Sequence, residues 1–163
     1  MRFIKLAVIS CVILSIAITV IGLLLPSSVV VSRAINITAN QDVVFKKMSN
    51  MYEWKNWITG LDKEGVIIQS ATEGNFLGTK VTITDTTNYT IHSSWVGKSG
   101  SVQHSIMRII HHASSAQIVV QWQFTEYLKW YPWQRFGSMM NEAVTGAQLE
   151  KNLSALKQLV EHR

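Results

Sequence analysis

The hydrophobic pattern of this chain changes period along its length. From Leu6 to Leu25 it reads LAVISCVILSIAITVIGLLL, apolar or small throughout and without a charge. A helix of that length rises about 30 Å, the thickness of a bilayer's hydrocarbon core. After Pro26 no such run returns. Residues 29–38, VVVSRAINIT, are β-branched and alternate toward their end, as a strand does. Asn40 then stands at the N-cap of QDVVFKKMSNMYEWKNWI, where Val44, Phe45, Met48, Met51 or Tyr52, and Trp54 recur at helical spacing. Ser49-Asn50 predicts a break there into two short helices.

Between Gly65 and Phe124 the period falls to two. Strands are predicted at 66–72, 79–85, 89–96, 102–112 and 117–124, with turns at 73–75, 86–88, 97–100 and 113–115. In the last strand Ile118, Val120, Trp122 and Phe124 point one way and Val119, Gln121 and Gln123 the other. After Tyr131-Pro132-Trp133 the helical period resumes. Phe136, Met139 or Met140, Ala143, Ala147, Leu149, Leu153, Leu156 and Val160 form a stripe that must lie across the sheet. This order predicts an α+β helix-grip fold: a curved antiparallel sheet of about six to seven strands, two short helices and a long C-terminal helix. One transmembrane helix precedes it, so residues 1–25 are an anchor and 26–163 a single domain.

Charge sets the expected orientation. Arg2 and Lys5 precede the apolar run, and Arg33 is the first basic residue after it. The N-terminus is expected to stay cytoplasmic, with the domain on the outer, periplasmic or extracellular, side of a single-pass membrane protein. A cleaved signal peptide is the alternative. The run exceeds the usual core of such a peptide, and Pro26-Ser27-Ser28 makes a poor cleavage site. Val8-Ile9-Ser10-Cys11 matches a loose lipoprotein pattern, yet apolar residues continue well past Cys11.

Overall, 15 Lys and Arg face 10 Asp and Glu in no stripe or run, which does not support nucleic-acid binding. Cys11, the one cysteine, lies in the apolar run, so the domain has no disulfide, thiolate nucleophile or Cys-based metal site. If the Gly97–Gly100 turn pairs Trp95 with Val102, His92 and His104 fall on opposite sheet faces; a register shifted by one residue would bring them to the same face. His111 and His112, adjacent on a strand, point apart. Neither a metal nor a cofactor is expected. The acids fall at helix starts, turns or the polar helix face, and Arg108 stands alone among Ile106, Met107, Ile109 and Ile110.

Several pieces resemble the START-like superfamily, also called Bet v 1-like or SRPBCC, and its bacterial polyketide cyclase/dehydrase-like branch. They are Leu25-Pro26, the segment VSRAINITA from Val31, Val43 to Phe45, Trp54-Lys55-Asn56-Trp57, Gln121-Trp122, Phe136-Gly137 and the segment LSALK from Leu153. The resemblance covers nearly the whole chain through element order and weak positions. It departs at 57–79, which is short for the usual second hairpin. It implies a cavity beneath the long helix that binds a hydrophobic small molecule or lipid. Trp54, Trp57, Trp95 and Met107 are expected to line it, with Trp122, Phe136 and Met140; Arg108 is a candidate anchor for a carboxylate head-group. Trp130, Tyr131 and Trp133, with Lys129 and Arg135, suit a membrane interface or a flap. A polyketide cyclase-like enzyme and a protein-interaction domain of the Hsp90-activator-like type are the alternatives.

Overall fold

The computed structural model describes residues 2–24, 26–111, 117–129 and 131–162. The apolar run forms α1 (Arg2–Leu24), whose side chains are almost all exposed. Its length and apolarity fit a membrane span or a signal sequence. β1 (Ser28–Ile37) begins after residues 25–27 alone, and Ser27 accepts a backbone hydrogen bond from Leu128 at 2.8 Å.

The two short helices are α2 (Gln41–Ser49) and α3 (Met51–Trp54). Asn40 Oδ1 accepts from the Asp42 N–H at 2.8 Å, and Asn50 Oδ1 from the Tyr52 N–H at 3.0 Å. Asn50 is extended, so it ends one helix and caps the next, which is the predicted break.

Six further strands follow: β2 (Val66–Ile68), β3 (Glu73–Phe76), β4 (Thr79–Thr87), β5 (Thr90–Val96), β6 (Val102–His111) and β7 (Ile118–Tyr127). They form one antiparallel sheet in the order β1-β7-β6-β5-β4-β3-β2. The strand expected at 66–72 is corrected to the shorter β2, and a further strand, β3, follows where a turn was expected. Ser70 Oγ accepts from the Thr72 and Glu73 N–H groups and turns the chain there, while Glu73, Gly74 and Asn75, expected as a turn, are in β3. The reversal falls instead on Leu77 and Gly78, both at positive φ (54° and 94°) between the paired Phe76 and Thr79. That is a type I′ turn, whose twist matches the strands it joins. Asn88 and Tyr89 (φ 49° and 58°) repeat it between β4 and β5. The turn expected at 113–115 lies outside the described residues, as does His112.

Register places Val96 opposite Val102 and Trp95 opposite Gln103, one residue from the pairing assumed above. Five residues, 97–101, close the connection, with the Gly97 N–H on the Ser101 carbonyl at 2.9 Å. His92 and His104 therefore share a face, the outer one, where His104 packs on the ring of Tyr127. No group of three or more potential metal ligands occurs among the described residues.

The long helix α4 (Pro132–Glu161) crosses the inner face of the sheet along β1 and touches β7. Its buried row is Gly146, Leu149, Leu153, Leu156 and Val160, a heptad-like spacing. Ala143 and Ala147, expected on the stripe, are exposed; the side chains of Phe136, Met139 and Met140 lie outside the described residues. Gly146 lies where a side chain of β1 crosses the helix. Arg33 of β1 lays its guanidinium against the helix there and donates from Nε to Glu150 Oε1 at 2.6 Å, and a Cβ at 146 would collide with it.

Strand directions gather particular ends together. Ser28 pairs with Tyr127, Val96 with Val102, Lys80 with Val96, and Phe76 with Thr79 and Val66. These residues mark one end of the sheet, next to the C-terminus of α1 and the start of α4. Ile37, Ile118, His111, Asn88 and Tyr89 mark the other.

Candidate ligand-binding pocket

Inward-facing residues alternate along β5, β6 and β7: Ile91, Ser93 and Trp95; Gln103, Ser105 and Met107; Ile118, Val120, Trp122 and Phe124. Two buried serines amid these large side chains have a clear role. Ser93 and Ser105 face each other across β5 and β6. Ser93 Oγ accepts the Trp95 indole N–H at 3.0 Å, and Ser105 Oγ accepts that of Trp122 at 2.7 Å. Small hydroxyls thus give the indoles room to lie flat and satisfy the one polar group each carries.

Trp54 and Trp57 arrive from the other side, off α3 and the turn after it. Their N–H groups bond the carbonyls of Met48 (2.6 Å) and Lys47 (3.2 Å). The rings join a continuous aromatic network. Trp54 stacks on Trp95 with centroids 6.2 Å apart, Trp57 meets Trp122 edge-on at 5.5 Å, and Phe124 bridges Trp95 (5.3 Å) and Trp122 (5.6 Å). Trp54 and Trp57 are almost fully buried, as is Met107. They fill the centre of the grip as core.

Where that plug ends, a pocket of about 460 Å³ opens between the middle of α4, the sheet and the 58–66 loop. Its apolar wall comprises Phe76, Trp95, Trp122, Phe124 and Leu149. Its rim is polar, with Lys63, Gln103, Gln148, Asn152 and Thr145. Asn152, itself buried, accepts from the Thr59 N–H at 3.0 Å and so fixes the loop on the helix. Gln103 donates to Glu126 Oε2 at 3.0 Å. Lys63 is the one ionisable residue among the described lining.

Of the residues expected to line a cavity, Trp95 and Trp122 do so. Trp54, Trp57 and Met107 are core behind them. Arg108 is exposed on the outer face, because alternation along β6 gives the inner positions to Met107 and Ile109. Phe136 and Met140 lie outside the described residues. Sequence reasoning missed Phe76 and the polar rim, while Leu149 was already on the stripe facing the sheet. Phe124 was already on the inner face by alternation, whereas the rim sits on a loop and a helix edge that periodicity does not mark.

No protein-family model matches the sequence, and no curated protein is significantly similar to it. Solved structures are similar in fold. Norcoclaurine synthase from Thalictrum flavum, in complex with dopamine and hydroxybenzaldehyde, is 14% identical over 88% of this chain and 92% of its own, with a TM-score of 0.62. A START superfamily protein from Mycobacterium smegmatis is 13% identical, covering 82% and 97%, at 0.59. Aha1 from Colwellia psychrerythraea, solved as a dimer, is 15% identical, covering 82% and 96%, at 0.57. The chain thus shares with these structures the α+β helix-grip fold.

Proposed function

We propose that this chain is a membrane-anchored helix-grip domain that binds one hydrophobic or amphipathic small molecule between α4 and the sheet. The observation that carries this reading is the pocket of about 460 Å³, with an aromatic wall and a polar rim. Ligand sites are commonly about 300–1,000 Å³ and combine apolar walls with a few polar groups. The indole N–H groups of Trp95 and Trp122 are already bonded to serines, so the wall offers a ligand apolar surface alone. Orientation then falls to the rim amides and Lys63. A ligand with a flat or flexible apolar body and a polar, preferably anionic, head matches this division. Norcoclaurine synthase, which holds dopamine and hydroxybenzaldehyde, supports small-molecule binding on this fold.

Binding is favoured over catalysis because proton transfer needs a positioned acid or base, and amides orient without exchanging protons. An interaction domain of the Aha1 kind is disfavoured by the open pocket. The anchor reading rests on α1, whose residues 3–24 are long and apolar enough to span a bilayer. The domain then lies outside the cytoplasm, by the charge of Arg2 and Lys5.

Titration of the detergent-solubilised full chain with 11-(dansylamino)undecanoic acid tests the binding reading. One probe per chain is expected, with energy transfer from tryptophan and displacement by unlabelled fatty acid. Absence of saturable binding to the folded chain would overturn it.

A further inference from the structure

The contact between α1 and the domain says how the pocket is presented. The last carbonyls of a helix have no partner within it, and its C-terminus carries partial negative charge. Here the buried Arg135, in the first turn of α4, supplies the missing donors. Its Nη1 lies 2.9 Å from the Gly22 carbonyl oxygen and 3.1 Å from that of Leu23. Residues 25–27 alone connect α1 to β1, and at about 3.5 Å per residue they allow little separation. Helix and domain are therefore joined twice, by a short connection and by a cation on the helix end.

The same end of the molecule carries exposed apolar side chains. Tyr127 is 69% exposed, Trp133 68% and Leu77 50%, with Val96 and Val102 beside them. Tyr131 and Trp133 stack, their centroids 4.9 Å apart, next to Lys129. Tyrosine and tryptophan beside the end of a spanning helix are what a head-group region favours. Trp130 lies outside the described residues. The pocket belongs to this end as well. Val66, Phe76 and Leu77 line it at the strand ends, and Trp95 and Gln103 sit one pair from Val96 and Val102.

We infer that Arg135 clamps the domain onto its anchor so that Tyr127, Tyr131 and Trp133 rest in the bilayer head-groups. The pocket then takes its amphiphile from that leaflet and not from bulk water. This rests on the anchor and pocket readings above. The occupant of the apolar end is the bilayer surface, because the clamp leaves the domain nowhere else to turn that end.

The test uses the full chain in phosphatidylcholine–phosphatidylglycerol vesicles. Trp133→Cys and Asn88→Cys, each in a Cys11→Ser background, carry a spin label whose accessibility to oxygen and to a water-soluble nickel chelate is read. The label at 133 is expected at head-group depth and that at 88, the opposite end, in water. Ser99→Cys, which keeps every aromatic in place, should also be shielded from nickel relative to 88. Arg135→Met should move the label at 133 toward the accessibility found at 88. Equal nickel accessibility at 133, 99 and 88 would overturn the seating, and an unchanged 133 in Arg135→Met would overturn the clamp. A membrane-extracted chain beginning after residue 26 would remove the anchor and the inference with it. Seating lost while dansyl-undecanoate still binds defeats this inference alone, whereas shielding found without probe binding defeats the pocket reading and the uptake from the leaflet with it, and leaves the seating.

Discussion

The two halves of α4 lie over the same sheet and do opposite things. From Leu153 to Val160 the helix presents leucine and valine at each inward turn, in one buried core with Ile37, Val120, Met48, Trp54 and Trp57. From Glu142 to Gln148 it presents Thr145 and Gly146 instead, with Val144 72% exposed, and the pocket lies beneath. The sheet differs between them too: its inner face carries the aliphatic Ile37, Ile118 and Val120 toward the end of α4, and Phe76, Trp95, Trp122 and Phe124 toward the pocket. The size of the helix side chains differs as well, and Trp54 of α3 with Trp57 after it packs behind the pocket wall, on Trp95 and Trp122. The void lies where an aromatic stretch of sheet faces small side chains on the helix.

Substitutions that probe the contrast rank by expected effect. Leu153→Ala in the filled half should destabilise by about 2–5 kcal/mol, since the site is nearly inaccessible and the neighbours are interlocked. Chemical denaturation reads this, and a loss below about 0.5 kcal/mol would show that half to be loose. At the boundary, Ser105→Ala leaves the Trp122 N–H buried without its acceptor, a cost of about 1–3 kcal/mol by the same measurement. Trp122→Phe together with Ser105→Ala should recover part of that, because neither polar partner then remains. In the open half, Thr145→Phe adds bulk where there is space. Stability should change by less than about 1 kcal/mol, whereas the same residue placed at Leu153 would overpack. Probe affinity should fall at least about tenfold. Equal stability losses at 145 and 153 would erase the distinction between the halves.

The smallest effect lies at the far end of the sheet. Tyr89 Oη donates to Asp42 Oδ1 at 2.9 Å, and this bond, with a lesser contribution from desolvation, raises the tyrosine's pKa above its ordinary value of 10.0. A raised folded pKa means a contribution fully present below about pH 10 that fades as pH climbs through the folded value. The group is exposed, so the effect is small. Melting temperatures across that alkaline range should fall slightly more steeply for the native chain than for Tyr89→Phe.

How far the sequence foretold this depends on which signal carried each feature. The apolar helix, the Asn50 break and the period-two strands were legible because each rests on composition or spacing within one segment. β2 was drawn too long and β3 was misread as a turn because Gly74 and Asn75 look like turn residues, while the chain actually reverses on the Ser70 hydroxyl and on Leu77-Gly78. The β5–β6 register hinged on whether four or five residues close the turn, which the Gly97–Ser101 hydrogen bond decides and composition does not. Arg108 was misplaced for a related reason, since an apolar run of five hides its own alternation. The pocket was half legible: its aromatic wall follows from alternation, but its polar rim and the Arg135 contact join segments distant in sequence.

The order of the sheet also governs how the chain is made. β1 is an edge strand whose one partner is β7, so Ile37 must wait for Ile118 and Ser28 for Tyr127. β1 is among the first segments synthesised after α1, and it begins with Val29-Val30-Val31, an unpaired apolar edge of the kind that joins other chains. The hairpins from β3 to β5 close locally through their two-residue turns, while β1 stays open until β7 is made. Fixing α1 in a bilayer during that interval would tether the exposed strand at a surface and lower its encounters with other nascent chains. The same helix would then serve the newborn protein as a holding point before it serves the mature one.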